Sequence, residues 1–315
     1  MTARTSLAAG FCIVHLPFAL SHLPLPIRLL ALDIDGTLLD SHGSIPDENR
    51  RAIARAQAAG VEVVLATGRR YEFARAIFEN LPGPLTLILS NGAIVKTREG
   101  ETLMRQLLPR ATAREVLSRT PHHRETAAIV FDRPREHQVV FETIDWEHPR
   151  HRRFFEVNRP FIGEHRPLED ALTEDPVQVM FTGGCRDMRT LFELLRELSD
   201  TTEPSAGNGD GNARFAVALT EYVHRDFSLV DVVRHGCSKG STLRQWAESR
   251  GHSPAEVMAV GDNLNDVEML QYAGTPVVMG NGLEQLRSRG WAVTASNDDA
   301  GVARAIEEYV LDGQN

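Results

Sequence analysis

Cysteine is scarce. The 315 residues hold three, Cys12, Cys185 and Cys237. They are far apart and odd in number, and no C-x-x-C pair occurs. That excludes a disulfide framework and a thiolate zinc site, and it fits a reducing cytoplasm best. Positive charge is also short. Lys and Arg number 34 against 43 Asp and Glu, a formal net charge of −9. With no basic stripe to follow a phosphate backbone, a general nucleic-acid binder is excluded. Internal repeats and low-complexity tracts are missing. The apolar stretch SLAAGFCIVHLPFAL, residues 6–20, is too short for a membrane span. It has the length of a signal-peptide core, but Arg4 is a weak leader, His15 interrupts it and no A-x-A site follows. Residues 1–25 therefore read as an N-terminal extension outside the folded domain, either disordered or upstream of a true start near Leu23 to Ile27.

What remains is globular: 42% hydrophobic and 24% charged residues, long enough for one large domain or two ordinary ones. IRLLALDID reads as a buried strand, PDENRRAIARAQAAG as a helix stopped at Gly60, and VEVVLATG as a second strand. YEFARAIFENL is helical, and LTLILSNGA is a third strand. This alternation is the pattern of a doubly wound parallel α/β sheet with right-handed crossovers. After about residue 107 the texture changes. Strand-like AAIVFD, HQVVFET and VQVMFTGG surround a helical CRDMRTLFELLREL. EPSAGNGDGN reads as a flexible turn, and ARFAVALTEY and FSLVDVV as an antiparallel pair. From Lys239 the alternation resumes through KGSTLRQWAESRG, EVMAVG, LNDVEMLQYAG, TPVVMG, GLEQLRSRG, WAVTA and AGVARAIEEYVL. The expected organisation is a Rossmann-like core of residues 26–107 and 235–315, with an α+β domain of residues 108–234 inserted into it.

Ligands of open parallel sheets bind beyond the carboxyl ends of the strands. Four strand ends carry polar chemistry: Asp33 with Asp35, Thr67-Gly68, the Lys239 segment, and Asp262 with Asn265 and Asp266. Two carboxylates two residues apart at a dry strand end repel each other and cost desolvation, unless a cation lies between them. If the strand continues, Asp33 and Asp35 point the same way. Carboxylates converging with one lysine suit Mg2+ beside an anion. Thr67-Gly68 is read as opening the next helix, whose free N–H groups favour a phosphate. Each feature alone has an ordinary explanation: Thr67 as a helix cap, Lys239 as a solvated first-turn residue, Asp266 as a surface ion pair, Ser90-Asn91-Gly92 as a turn. Their combination and order are what carry the argument.

The stretches ALDIDGTLL, ATGR, SNGA, CSKGSTL, VGDNLNDVEML, VMGN and TASNDDAGVARAI together resemble the haloacid dehalogenase (HAD) superfamily of phosphatases, in its Cof-like branch. The likeness spans residues 29 to about 309, and the inserted block matches only in position and strand-rich character. Two features depart from the pattern: the N-terminal extension, and Gly282 where an alanine is usual. The resemblance implies a phosphohydrolase that works through an aspartyl-phosphate. Asp33 would be the nucleophile, and Asp35 the acid and base. Mg2+ would lie on Asp33, the Asp35 backbone carbonyl and Asp262, with Asp266 one step behind. Lys239 would neutralise both the nucleophile and a phosphate oxygen. Thr67, Gly68 and Asn265 would hold other phosphate oxygens, with Asn91 near the substrate.

The inserted block would be a cap that closes over the substrate and sets specificity. Arg133, Arg135, His137, Arg152 and Arg153 stand out in it as candidate contacts to a polar substrate, although a solvated surface is the better reading of any single one. The implied partner is a small phosphorylated metabolite, such as a sugar phosphate or a cofactor-like monoester, with no nucleic acid, membrane or obligate protein partner. Two other readings stay open at this point. A phosphotransferase or phosphomutase would share the intermediate and differ only in the acceptor. A non-catalytic sensor of phosphometabolites would be expected to lack a catalytic residue, and none is missing.

Overall fold

The computed structural model describes residues 26–148, 152–200 and 214–312. The N-terminal extension and the EPSAGNGDGN turn lie outside them. The first half of the core runs β1 (Leu29–Leu32), α1 (Asp47–Ala58), β2 (Glu62–Ala66), α2 (Tyr71–Phe78), β3 (Thr86–Leu89) and a hairpin of β4 (Ile94–Thr97) and β5 (Thr102–Arg105). The inserted part contains α3 (Arg110–Arg119), β6 (Ala127–Val130), β7 (Val139–Phe141), α4 (Arg152–Asn158), β8 (Ile162–Glu164), β9 (Gln178–Gly183), α5 (Cys185–Asp200), β10 (Phe215–Tyr222) and β11 (Phe227–Arg234). The chain then returns through α6 (Lys239–Ser249), β12 (Val257–Gly261), α7 (Val267–Tyr272), β13 (Thr275–Val278), the single turn α8 (Glu284–Arg287), β14 (Ala292–Val293) and α9 (Gly301–Ile306).

The core strands form one sheet in the order β14-β13-β12-β1-β2-β3-β4-β5. β14 through β3 are parallel, and the β4–β5 hairpin is antiparallel at the edge. The strands are apolar on both faces because helices cover both. Leu30, Leu32, Val63, Leu65 and Val260 pack towards Ile53 of α1 and Val302 and Ile306 of α9. Leu29, Ala31, Val64 and Ala259 pack towards Leu243 of α6 and Met269 and Leu270 of α7. From β1 the chain winds outward to β3. After the insertion it re-enters at β12, on the other flank of β1, and winds the opposite way. The order therefore reverses between β1 and β12, and a crevice opens at their carboxyl ends.

The inserted strands form a second sheet in the order β10-β11-β9-β6-β7-β8. One face, with Ile129, Val179, Phe181, Val230 and Val232, is covered by α3 and α5. The other, with Ala128, Val130, Val139, Phe141, Met180 and Val233, joins the apolar cluster of the core. This is the expected α/β core with an α+β cap. GLEQLRSRG and WAVTA shrink to one turn and two residues. They sit at the sheet edge, where only one neighbouring strand rewards extension.

The glycine of CSKGSTL has a packing role. A Cβ at Gly240 would lie 2.3 Å from the Glu268 backbone carbon and 2.5 Å from the Met269 nitrogen, so α6 meets α7 backbone to backbone. Gly240→Ala should force them apart. The expected cost is about 2 kcal/mol of overpacking, read as a melting temperature lower by roughly 4–8 °C in calorimetry of the purified protein.

Candidate active site

The Asp33 N–H still donates to the Val260 carbonyl at 3.0 Å, so Asp33 holds the register of the sheet. The chain then leaves it in a tight turn over Ile34–Leu38. This corrects the expectation that strand alternation points Asp33 and Asp35 the same way. Gly36 makes the turn possible at φ +83°, and a Cβ there would sit 2.4 Å from Asp262 Oδ2. Glycine therefore supplies both the left-handed backbone and the room for the neighbouring carboxylate. Asp35 turns instead towards Arg69. Arg69 Nε donates to Oδ2 at 2.7 Å and Nη2 to Oδ1 at 2.6 Å, a bidentate pair.

Asp33, Asp262 and Asp266 are all buried, with ligand-capable oxygens within 4.8 Å of one another. Lys239 Nζ donates to Asp33 Oδ1 at 2.6 Å and to Asp266 Oδ1 at 2.7 Å. The lysine is the first residue of α6, and Ser238 caps that helix by accepting from the Ser241 N–H. It is 1% exposed. Asp266 spends its other oxygen on the backbone N–H groups of Asp262 and Asn263, both at 3.0 Å, and so ties the loop after β12 to Lys239. Asp262 accepts from the Thr37 hydroxyl at 3.1 Å. A Cβ at Gly282 would approach Asp262 Cα to 3.3 Å, so glycine keeps that turn close to the cluster.

Thr67 is fully buried. Its hydroxyl oxygen accepts from the Arg69 N–H at 3.1 Å, which leaves the hydroxyl proton to give. α2 begins only at Tyr71, after Arg70. Thr67-Gly68 therefore sits in the turn before the helix and does not open it, because Arg69 is turned aside to hold Asp35. Gly68 lies against Asn91, whose Oδ1 would be 3.2 Å from an added Cβ. Asn91 Oδ1 accepts from Asn265 Nδ2 at 3.0 Å. Every core residue singled out in the sequence thus converges on the β1–β12 crevice.

A family model described as haloacid dehalogenase-like hydrolase matches residues 30–306. The chain belongs to that family. It is 28% identical over 278 residues to the phosphatase YwpJ of Bacillus subtilis strain 168, covering 84% of this chain and 93% of the relative. It is 29% identical over 267 residues to the 5-amino-6-(5-phospho-D-ribitylamino)uracil phosphatase YcsE of the same strain, covering 85% and 89%. A solved haloacid dehalogenase-like hydrolase from B. subtilis shares the fold with a TM-score of 0.72 at 24% identity, covering 89% of this chain and 99% of that one.

The inserted domain contacts the loops of this crevice. Asn263 Nδ2 donates to the Glu221 carbonyl at 2.9 Å, and Asn91 Nδ2 donates to Asp231 Oδ2 at 2.8 Å. Arg70 donates to Gln138 and Asn158 of the cap and lies 4.7 Å over the Phe161 ring. Burial pulls the guanidinium down to about 10 against the weaker opposing pull of Glu72. The Tyr222 hydroxyl is held high, by burial and then by Asp35. Arg69, Tyr222 and Asp231 were not singled out from the sequence. Arg69 stood in ATGR, and an aspartate inside the apolar run FSLVDVV was itself a signal. The cap cations that were singled out lie elsewhere. Arg133 pairs with Glu174 at 2.6 Å, and Arg152 with Glu147 and Glu156. Arg135 and His137 are exposed, and the Arg153 side chain is outside those described.

Three buried carboxylates share one ammonium, and two of them, Asp33 and Asp262, resist ionisation. Burial first, then Asp266, pushes the Asp33 carboxyl up to about 7 against the pull of Lys239. Burial and then Asp33 raise Asp262 well above its ordinary value. Burial lowers Lys239, but Asp266 and Asp33 outweigh it and the ammonium is raised overall. A hard divalent cation fits this all-oxygen set and its surplus negative charge. A raised carboxyl binds its proton more tightly folded than unfolded. Stability from Asp33 is therefore lost as pH rises from its ordinary 3.8 towards about 7. A cation held by the ionised carboxylates would offset that loss. Mg2+ should raise the melting temperature by several degrees at about pH 7.5 and by little at about pH 4.5, where protons compete for the same oxygens. Equal shifts at both pH values would contradict the fit.

Proposed function

We propose that this chain is a Mg2+-dependent phosphohydrolase of small phosphorylated metabolites that works through an aspartyl-phosphate on Asp33. The observation that carries the reading is Lys239, fully buried, bridging Asp33 and Asp266 at 2.6 and 2.7 Å within a carboxylate cluster at the carboxyl ends of β1 and β12. Family membership and phosphatase relatives support it. The relative named for a ribitylaminouracil phosphate supports a small monoester as the substrate class. Among the described residues no helix is long and apolar enough to cross a membrane, and a cytoplasmic enzyme is the setting proposed.

Asp33, the Asp35 backbone carbonyl and Asp262 would hold the Mg2+, with Asp266 behind them. When bound, the ion would neutralise phosphate charge that otherwise repels an attacking carboxylate. Lys239 holds Asp33 Oδ1, which leaves Oδ2 as the attacking oxygen. Asp33 forms a bond to phosphorus as the bond to the leaving alkoxide breaks, and Asp35 gives that alkoxide a proton. Water then attacks phosphorus, the Asp33–phosphorus bond breaks, and Asp35 takes the water's proton. The Thr67 hydroxyl, Gly68 N–H, Asn265 amide and Lys239 ammonium hold the phosphoryl oxygens. Asn91 links two of these holders. Arg69 aims Asp35, and one of its two hydrogen bonds must loosen for Asp35 to carry a proton. The cap covers the site and keeps bulk water from it.

Phosphate release from a panel of phosphorylated metabolites tests the reading. Wild type should release phosphate only with Mg2+. Asp33→Asn should fold and lose about 10^4-fold or more in kcat. Arg69→Lys, which cannot form the bidentate pair, should lose about tenfold, the size of one charge-assisted hydrogen bond. Substantial turnover by folded Asp33→Asn would overturn the assignment.

A further inference from the structure

Asp231 lies on β11 in the row of the cap sheet that faces the core. Its neighbours Val230 and Val232 point the other way, into the cluster under α5. It is 3% exposed. Oδ2 accepts from Asn91 Nδ2 at 2.8 Å, and Oδ1 accepts from Gln178 Nε2 at 2.7 Å. Both donors are neutral amides. A surface role does not account for a carboxylate buried at this depth.

The consequence lies in the direction of the amides. An amide side chain can present either its oxygen or its nitrogen, and only its partners decide which. Burial pushes the Asp231 carboxyl up to about 7 against the pull of the Asn91 hydrogen bond; above that pH it is ionised, and an ionised carboxylate accepts and never donates. Asn91 must therefore turn its nitrogen to Asp231 and its oxygen to Asn265. Asn265 must then turn its nitrogen to Asn91, at 3.0 Å. One N–H of Asn265 is used in this bond, and the other is left to give. Its Oδ1 is buried with no hydrogen-bond partner. A free amide would not settle with a buried, unpartnered oxygen, at a cost of about 1–3 kcal/mol. The chain from Asp231 holds it that way.

We propose that Asp231 is a positioning residue that acts from the cap, fixing Asn91 and through it Asn265, so that an amide N–H and not a carbonyl oxygen is offered to the phosphate. The link crosses between domains, so the polarity of the phosphate pocket is completed only when the cap is docked. The inference rests on the reading of Asn265 as a phosphate holder, and it adds a residue that the chemistry alone does not require. Without Asp231 both amides are free to flip, and Asn265 can then set a carbonyl oxygen against the phosphate.

The test compares wild type, Asp231→Asn, Asp231→Glu and Gln178→Met, each checked for folding by thermal melt. For each, inhibition by inorganic phosphate is measured beside kcat and KM for the best substrate of the panel. Asp231→Asn keeps shape but not the acceptor-only character. It should weaken phosphate inhibition and raise KM about tenfold, with a smaller change in kcat. Asp231→Glu, an acceptor-only group, should recover most of the loss. Gln178→Met removes the other donor to the same carboxylate and leaves the Asn91 link, so phosphate inhibition should stay within about twofold of wild type. Unchanged phosphate inhibition in Asp231→Asn, with wild type active, would overturn the positioning role and leave the phosphatase reading standing. So would losses of equal size in Asp231→Asn and Gln178→Met, since that marks a merely structural contact. A wild type that neither turns over the panel nor binds inorganic phosphate would overturn both readings.

Discussion

The contact on which the rest depends is the ammonium of Lys239 between Asp33 and Asp266. Removing an ammonium and carboxylates from water is expensive, and attraction repays it only where the geometry is close and the remaining lone pairs are satisfied. Here the distances are 2.6 and 2.7 Å, and Asp266 is further held by two backbone N–H groups. One ammonium still cannot balance three carboxylates. Burial first, and then that deficit, raises Asp33 and Asp262, and the same group of carboxylates could hold a metal ion.

The fold supplies that contact from segments distant in sequence. Lys239 stands 206 positions from Asp33, and only the reversal of winding between β1 and β12 brings them together. Glycines let the segments close in. Gly36 yields space to Asp262, and Gly240 lets α6 touch the backbone of α7. The cap adds amide and carbonyl contacts at Asn263, Asn91 and Arg70. The inserted domain is therefore held to the core by hydrogen bonds to the loops at the strand ends as well as by apolar packing.

The core was legible because its signals are local. Apolar strands alternate with helices, and the polar residues follow directly at strand ends. Two details were misread. Asp35 was expected beside Asp33, but the glycine turn breaks the alternation and hands Asp35 to Arg69. Thr67-Gly68 was expected to open a helix that starts at Tyr71. The cap's strands were visible, as was the antiparallel pair of β10 and β11, but the order of the rest of the cap sheet was not, because such partners are chosen by non-local packing. Which of the residues on that pair face the core depends on how the whole cap sheet packs. The cap arginines and histidine singled out drew notice by their chemistry, yet those described sit in surface ion pairs or in solvent, whereas Asp231 reaches the crevice through Asn91.

The most direct test of the account is the location of the phosphoryl group during turnover. Wild-type enzyme would be mixed with a panel substrate and Mg2+, quenched in acid, digested and mapped by mass spectrometry. The account predicts an acid-trapped phosphoryl group on Asp33, in the peptide that follows β1. A phosphoryl group trapped on any other residue would contradict it.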